Sequence, residues 1–561
     1  MFREADAVPE CGRQQVPVRY RECRCPPARS KNQGMSESSR AEHGRSTSHP
    51  TQVQSGRDGK AHGRNPSMYG SWKSDRLVVP EKSPNEPQCS EEMEGRGLAK
   101  GNAHQLTTYR TQCRASVPCG LERVRQAARR DRKAKFNALL HHVTPQLLAD
   151  CYCRMNRRAA AGIDGITWAE YGQKLEGNLQ SLLERVHRGA YRARPSRRVW
   201  IPKADGTQRP LGIATLEEKL LQVAVAEVLQ SIYEEDFLGF SYGFRPGRSP
   251  HHALDALYAG ILTRKVNWVL DADVRDFFGT IDHEWVAKML EHRIADQRIL
   301  RLVRKWLSAG VLEAGRVEPA ERGTAQGAAI SPLLANVFLH YVLDTWAHRW
   351  RRTEAGGDVV IVRYCDDFIV GFERRSEAQA FLAALQERLA KFRLELHPEK
   401  TRLVRFGRYA NERARWFKER RAGTFRFLGF VHACGRTQSG KYLIVRHTEG
   451  KRVRARLQAV KAVLMRRRHR PIPEQGAWLG QVLRGYFAYH AVPTNLHTLL
   501  GMRAEVTRQW RRALNRRSQR GRVTWARMKV LEERWLPRVR ILHPYPLDRF
   551  HAMTRGGSPV R

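Results

Sequence analysis

The pattern of apolar and polar positions is clearest between residues 359 and 372, where two short apolar runs flank a pair of acids. The runs Val359–Val362 and Phe368–Val370 are β-branched or aromatic, which favours strand over helix. Asp366 and Asp367 lie between them, so the sequence predicts a strand–turn–strand hairpin that presents two carboxylates. Such a pair is costly unless a cation neutralises it, and Mg²⁺ prefers carboxylate oxygens. A solvated turn is the plainer interpretation of an isolated Asp-Asp pair.

A second acidic strand end lies upstream of this hairpin. The apolar run that begins at Trp268 ends in three acids, Asp271, Asp273 and Asp276. Two-metal phosphoryl transfer needs carboxylates from different strands, which hold two metal ions about 3.5–4 Å apart. The two acidic strand ends therefore predict a site of this kind.

Other patterns predict the surrounding elements. Residues 121–143 predict a basic helix, and residues 378–391 predict a second helix. Residues 198–202 and 209–213 predict a two-stranded hairpin that leads into a helix. Its turn is predicted at residues 204–206. Lys203 and Arg209 lie on opposite arms of this hairpin and would form a clamp for a triphosphate. Two exposed charges are the plainer interpretation.

The end of the chain is strongly basic. Residues 451–561 hold 26 Lys and Arg but only 5 Asp and Glu. Apolar residues recur at helical spacing in two stretches, Val453 to Leu464 and Met502 to Leu514, and arginines fill the other positions. A solvated face would mix charges of both signs, so a single sign predicts helices that bind a phosphate backbone.

Composition supports a polyanionic partner. The 561 residues include 100 Lys and Arg against 56 Asp and Glu, a net charge of +44. We expect no membrane span and no secretory signal, because apolar stretches are short and the first residues lack an apolar core. The C-x-C spacings at Cys23 and Cys151 do not match a zinc site, so we expect reduced thiols in a cytosolic protein. Residues 1–118 are polar and predict a disordered basic tail.

These motifs together resemble one family. Tyr364-Cys365-Asp366-Asp367 resembles the Tyr-x-Asp-Asp motif of reverse transcriptases, and the segment 273–278, DVRDFF, is similar to their upstream metal-binding motif. The blocks RPLGI, SYGFRPGRS, QG…SPLLAN, HPEKT and FLGF occur in the order typical of reverse transcriptases encoded by bacterial group II introns. The resemblance covers residues 121–561.

The resemblance implies an α+β fold, a right-hand polymerase. Residues 119–435 would form the fingers and the palm, with an antiparallel sheet covered by helices on one side. Residues 436–561 would form an all-helical thumb and maturase domain (domain X), with no endonuclease domain after it.

The resemblance also implies roles for the acids. Asp273, Asp366 and Asp367 would be catalytic and would bind two Mg²⁺ ions, and the backbone carbonyl of Val274 would be a further metal ligand. Lys400 is a candidate general acid for the pyrophosphate, with an ordinary surface lysine as the equal alternative.

A second implied set of residues binds the incoming dNTP. Lys203 and Arg209 would hold its β- and γ-phosphates, and Gln326 would contact it near the sugar. Phe277 or Phe278 would exclude a 2′-hydroxyl, and we prefer Phe278. A third set would bind RNA: Arg454, Arg456, Arg466, Arg508, Arg512, Arg516 and Arg517.

The expected function is an intron-encoded RNA-directed DNA polymerase that also acts as a maturase in splicing and mobility. Its partners would be group II intron RNA, an RNA template with a DNA primer, target DNA and dNTPs, in a cytoplasmic ribonucleoprotein that associates with the bacterial nucleoid. One alternative is a maturase with a vestigial polymerase, which the intact acids argue against. Another is a reverse transcriptase of a retron, a diversity-generating element or a CRISPR system, which the arginine-rich C-terminal segment argues against.

Overall fold

The computed structural model describes residues 119–202, 208–313, 315–318, 320–324, 326–412, 422–518 and 521–554. The predicted tail at residues 1–118, Lys203 and the predicted turn at 204–206 lie outside the described residues. Within the described part of the chain, no helix is long and apolar enough to cross a membrane.

Helices make up most of the described chain. In the first part they are α1 (Cys119–Arg130), α2 (Pro145–Arg154), α3 (Trp168–Gly172), α4 (Leu175–His187), α5 (Leu216–Asp236), α6 (Pro250–Thr263), α7 (Phe277–Thr280), α8 (His283–Glu291), α9 (Gln297–Ser308), α10 (Ser331–Leu339), α11 (Thr345–Thr353) and α12 (Arg375–Ala390). A π-helical turn at His340–Asp344 joins α10 to α11. In the last part they are α13 (Gly450–Arg466), α14 (Ile472–His490), α15 (Leu496–Asn515), α16 (Trp525–Trp535) and α17 (Pro546–Thr554).

Three sheets are present among the described residues. Their strands are β1 (Ser196–Pro202), β2 (Gln208–Ile213), β3 (Trp268–Ala272), β4 (Val311–Glu313), β5 (Arg316–Glu318), β6 (Val359–Tyr364), β7 (Asp367–Phe372), β8 (Arg402–Arg405), β9 (Phe425–Phe427), β10 (Phe430–Arg436) and β11 (Tyr442–Thr448). The central sheet has the order β6-β7-β3-β8 and is antiparallel throughout. A second sheet has the order β2-β1-β4-β5, and a third has the order β11-β10-β9. The expected α+β class with an antiparallel central sheet is confirmed, although β1 and β4 of the second sheet pair in parallel.

Both faces of the central sheet are buried. Alternate residues of a strand point to opposite faces. Leu270 and Val370 face one hydrophobic core, and Val269 and Ile369 face another. Helix α12 packs on the first face, whereas α6 and the third sheet cover the second. The expectation of helices on one side only is therefore wrong, and burial on both faces explains the nearly continuous apolar runs.

The basic helix predicted at residues 121–143 is shorter than expected. Helix α1 ends at Arg130, and the chain then bridges to a distant segment through Phe136 and Ile294. The buried Arg293 guanidinium donates to the Ala128, Asp131 and Ala134 carbonyls. These bonds satisfy carbonyls at the end of the helix, where cationic side chains are favourable.

The prediction that residues 436–561 are all helical is also wrong at their start. Strand β11 lies beyond the predicted boundary and pairs with all seven residues of β10, from Phe430 opposite Thr448 to Arg436 opposite Tyr442. The segment is rich in β-branched and aromatic residues, which fit a pleated sheet. Helices begin at Gly450, and α13 to α16 then share one core. Most of the predicted apolar stripe is buried there, including Val460, Leu464, Val506 and Trp510.

Candidate active site

The predicted metal-binding acids meet at one end of the central sheet. Strands β3 and β7 are antiparallel neighbours with Ala272 opposite Phe368. Continued by one position, this register would place Asp273 opposite Asp367, and the charges of Asp273 and Asp366 act on Asp367. Asp366 lies in the tight turn between β6 and β7, whose last pair is Tyr364 with Asp367. The fold therefore brings the three carboxylates together as the sequence predicts.

The turn that carries Asp366 has an unusual backbone. Cys365 has a φ of 61°, a left-handed conformation that non-glycine residues rarely adopt. Such conformations cost about 1–3 kcal/mol and persist only when surrounding contacts fix them. The turn therefore depends on the structure behind it.

The acids raise one another's pKa. Burial and, less strongly, the charge of Asp273 raise the pKa of Asp366. Partial removal from water within the acidic site, followed by repulsion from Asp366 and Asp273, raises the pKa of Asp367 to about 7. The Asp367 side chain nevertheless remains exposed to solvent. Because the Asp367 side chain is exposed to solvent, repulsion from Asp366 and Asp273 contributes more to this shift than burial does. This concentration of negative charge favours a bound cation.

Lys400 contacts the acids directly. Its Nζ lies 2.6 Å from Asp273 Oδ2, although the lysine side chain is 61% exposed. Asp271 is paired separately, because Arg402 donates to its Oδ2 at 3.2 Å. Val274 is buried and bridges to Leu396. Its side chain is apolar, so only its backbone carbonyl could be a metal ligand.

The donor set fits a divalent cation of the magnesium type. Among the described residues, no three His, Cys, Asp or Glu side chains are already arranged as a metal centre. Asp273, Asp366 and Asp367 nevertheless supply the hard carboxylate oxygens that Mg²⁺ prefers. Their mutual repulsion is what such a cation would relieve.

Two predicted nucleotide-binding residues lie beside the acids and contact each other. Arg209 Nε donates to Gln326 Oε1 at 2.7 Å, and Gly212 N donates to the Gln326 carbonyl at 2.7 Å. The charge of Arg209 acts on Asp366. This contact joins β2 to the loop before α10 and places a cation next to the acidic turn.

The two candidate aromatic rings have different environments. Phe277 is 2% exposed, and its ring lies 6.2 Å from that of Phe338 in the core. Phe278 is half-buried and makes an edge contact with Phe277 at 5.4 Å. Phe278 is therefore the ring of the two with surface available to a substrate.

A buried polar network supports the turn that carries Asp366, and the sequence patterns did not predict it. Arg363 and Asp344 are both 0% exposed, and two guanidinium nitrogens donate to the two Asp344 carboxylate oxygens at 2.6 Å each. Arg363 also donates to Asn336 Oδ1 at 3.0 Å, to Ser241 Oγ at 2.7 Å and to the Cys365 carbonyl at 3.0 Å. The last bond ties the network to the turn.

The segment around Gly243 packs against the same turn. Tyr242 N donates to the Arg363 carbonyl at 2.8 Å, and Asn336 Nδ2 donates to the Gly243 carbonyl at 2.7 Å. A Cβ added to Gly243 would lie 2.3 Å from Cys365 N. The sequence signal that could have revealed the buried network is a few polar residues inside apolar stretches, such as Arg363 in VVIVRY.

The predicted RNA-binding arginines differ in their surroundings. Arg454, Arg512 and Arg516 line one groove between α13 and α15. Of the remaining four, Arg466 is exposed and Arg508 pairs with Glu505 at 2.9 Å. Arg517 donates to the Arg468 and Arg470 carbonyls. The positive charge of Arg456 acts to lower the pKa values of Tyr486 and His490 in α14.

A family model matches part of the chain. Residues 201–432 match the family model described as reverse transcriptase (RNA-dependent DNA polymerase). This span contains the three acids, Arg209 and Gln326.

Curated relatives include intron-encoded proteins. Protein YkfC of Escherichia coli K12 is 36% identical over 190 residues, 33% of this chain and 50% of that protein. The group II intron-encoded protein LtrA of Lactococcus lactis subsp. cremoris is 32% identical over 225 residues, 39% of this chain and 37% of LtrA. An uncharacterized 91 kDa protein in a cob intron of Schizosaccharomyces pombe is 41% identical over 146 residues, 26% of this chain and 18% of that protein. The chain spans half or less of each relative, and the relatives are not restricted to bacteria.

Proposed function

We propose that this protein is an RNA-directed DNA polymerase encoded by a group II intron, which also binds the intron RNA and assists its splicing and mobility. The observation that carries the proposal is the meeting of Asp273, Asp366 and Asp367 at one end of the central sheet. Arg209 and Gln326 lie beside them, inside the span that matches the reverse transcriptase model. The similarity to LtrA supports the link to an intron.

In this proposal the central sheet is the palm of a right-handed polymerase in residues 119–435. The basic helices after it are the thumb and maturase domain. The partners are an RNA template with a DNA primer, dNTPs, target DNA and the intron RNA, in a cytoplasmic ribonucleoprotein.

The chemistry is phosphoryl transfer to a primer hydroxyl. Asp273 and Asp366 would hold two Mg²⁺ ions, with Asp367 as supporting charge and the Val274 carbonyl as a further ligand. Such ions activate the attacking hydroxyl and stabilise the leaving pyrophosphate.

The chain's own residues position the substrate. Arg209, oriented by its bond to Gln326, would hold the triphosphate together with Lys203. The Phe278 ring would lie against the sugar and exclude a 2′-hydroxyl. Lys400 would turn from Asp273 towards the pyrophosphate and donate a proton to it.

Primer extension tests the polymerase. Purified protein is incubated with an RNA template, a DNA primer, dNTPs and Mg²⁺, beside an Asp366→Ala variant, and RNA binding is measured in parallel. We expect the variant to lose extension but to keep RNA binding. Wild-type synthesis by Asp366→Ala would remove the assignment of this acid.

The same experiment separates the alternatives. No extension by the wild-type protein, together with tight and salt-sensitive RNA binding, would make it a maturase with a vestigial polymerase. A splicing assay with the intron RNA tests the maturase part, and Asp366→Ala should splice as well as wild type because maturation needs only binding. Extension without any effect on splicing would favour another lineage of reverse transcriptase.

A further inference from the structure

A groove runs between α13 and α15. It has a volume of about 490 Å³, within the range of small-ligand sites. Residues at helical spacing on both helices line it: Arg454, Leu457, Gln458, Lys461, Leu464 and Met465 on α13, and Glu505, Gln509, Arg512 and Arg516 on α15. Each helix therefore presents one face to this α13–α15 groove.

The floor of the α13–α15 groove is apolar. Leu464 is 1% exposed and belongs to the core shared by the C-terminal helices. Leu457 and Met465 are half-buried and pack against that core. An apolar surface of this kind accepts the flat face of a nucleotide base, because that face gives up few hydrogen bonds when it leaves water.

One buried acceptor in the groove is unsatisfied. The side-chain oxygen of Gln509 is buried but has no hydrogen-bond partner among the described residues. An unpaired buried acceptor costs free energy, and a ligand donor would recover it once the Gln509 side chain turned its oxygen into the groove. The base amino and imino groups of nucleotides are donors of this kind.

The rim of the groove carries positive charge. Arg454, Lys461, Arg512 and Arg516 are exposed lining residues. The one lining acid, Glu505, is paired with Arg508 at 2.9 Å. The rim therefore suits a phosphate group.

We propose that the α13–α15 groove captures one unpaired nucleotide of an RNA. The base lies on Leu457 and Met465 and donates to Gln509 Oε1, while the flanking phosphates contact the arginine rim. This inference rests on the proposed RNA-binding function and deepens it. Sequence-specific RNA recognition commonly uses unstacked bases of this kind.

Two variants of the full-length protein separate base capture from simple charge attraction. Gln509→Leu removes the acceptor but keeps the size of the side chain. Leu457→Ala removes apolar surface on which the base would lie and leaves every charge in place. Arg466→Ala is the matched control, because Arg466 is an exposed arginine of α13 that does not line the groove.

The assay is equilibrium binding to a labelled RNA hairpin with one bulged nucleotide and to the same hairpin without the bulge. Wild type should prefer the bulged hairpin. Each groove variant should bind the bulged hairpin about tenfold more weakly, which is the effect of losing one hydrogen bond or one apolar contact. Each should bind the fully paired hairpin as wild type does. Arg466→Ala should weaken binding to both hairpins equally. Gln509→Leu should not lower the melting temperature.

Two results would overturn the inference while leaving RNA binding intact. One is equal wild-type affinity for the two hairpins, and the other is equal loss on both hairpins in the groove variants. If wild type binds neither hairpin and no intron RNA, the proposed RNA-binding function itself fails and the groove assignment falls with it.

Discussion

The buried pair of Arg363 and Asp344 lies behind the turn that carries Asp366, and removal of Asp344 is predicted to cause a large loss of stability. Asp344→Ala would leave the guanidinium buried with no counter-charge, because its other partners, including Asn336 and Ser241, are neutral oxygens. Removing one partner of a buried ion pair costs about 3–5 kcal/mol. Since domains are typically stable by about 5–15 kcal/mol, this is a large fraction of the total. Primer extension should also fall, because Arg363 holds the Cys365 carbonyl of the turn.

Urea denaturation followed by tryptophan fluorescence measures this loss. The matched control is Glu395→Ala, which removes an ion pair with Arg275 in which both side chains are well exposed, at 65% and 74%. Exposed pairs contribute about 0–1 kcal/mol, so the control should unfold almost as wild type does. A loss below about 1 kcal/mol in Asp344→Ala, no larger than in the control, would refute the reasoning.

Three further predictions follow from individual contacts. Gly243→Ala should lower primer extension by about 100-fold, since its Cβ would displace the turn. The control Gly485→Ala in α14, where a Cβ would meet nothing within 4 Å, should keep activity and raise the free energy of unfolding by up to about 1 kcal/mol, and equal activities of the two variants would contradict this. Arg209→Ala should raise the KM for dNTP about tenfold in steady-state kinetics, because a charge-assisted hydrogen bond to phosphate is lost, and an unchanged KM would remove Arg209 from the site. Burial, helped by His543, lowers the pKa of His251 to about 3, so this histidine binds a proton more readily when unfolded and stability falls as pH drops below about 6.5. His251→Gln should therefore abolish about 2 kcal/mol of the loss between pH 7.5 and pH 5 in urea unfolding, and the same loss in both proteins would contradict it.

The position of the acids could be predicted from sequence because local patterns determine it. The β-branched runs around Asp366 and Asp367 give the hairpin, and acids directly after the run at Trp268 give the opposing strand end. Neighbouring antiparallel strands then place the carboxylates at one edge. Lys203 lies outside the described residues, so its role remains a prediction.

The support behind the site could not be predicted because it depends on contacts between distant residues. Ser241 and Arg363 are 122 positions apart, and their bond joins the segment before α6 to β6. Arg363 alone looks like an isolated charge in an apolar run. The early end of α1 similarly depends on Arg293, whose bonds reach back 159 to 165 positions.

The most direct test of the central claim is single-nucleotide incorporation on an RNA template with Mg²⁺, measured for wild type and for Asp366→Asn. The substitution keeps the shape of the side chain and removes one carboxylate from the proposed metal site. We predict incorporation by wild type and a rate lower by orders of magnitude in Asp366→Asn, with RNA affinity unchanged. Equal rates in the two proteins would contradict the assignment of these acids as the catalytic centre.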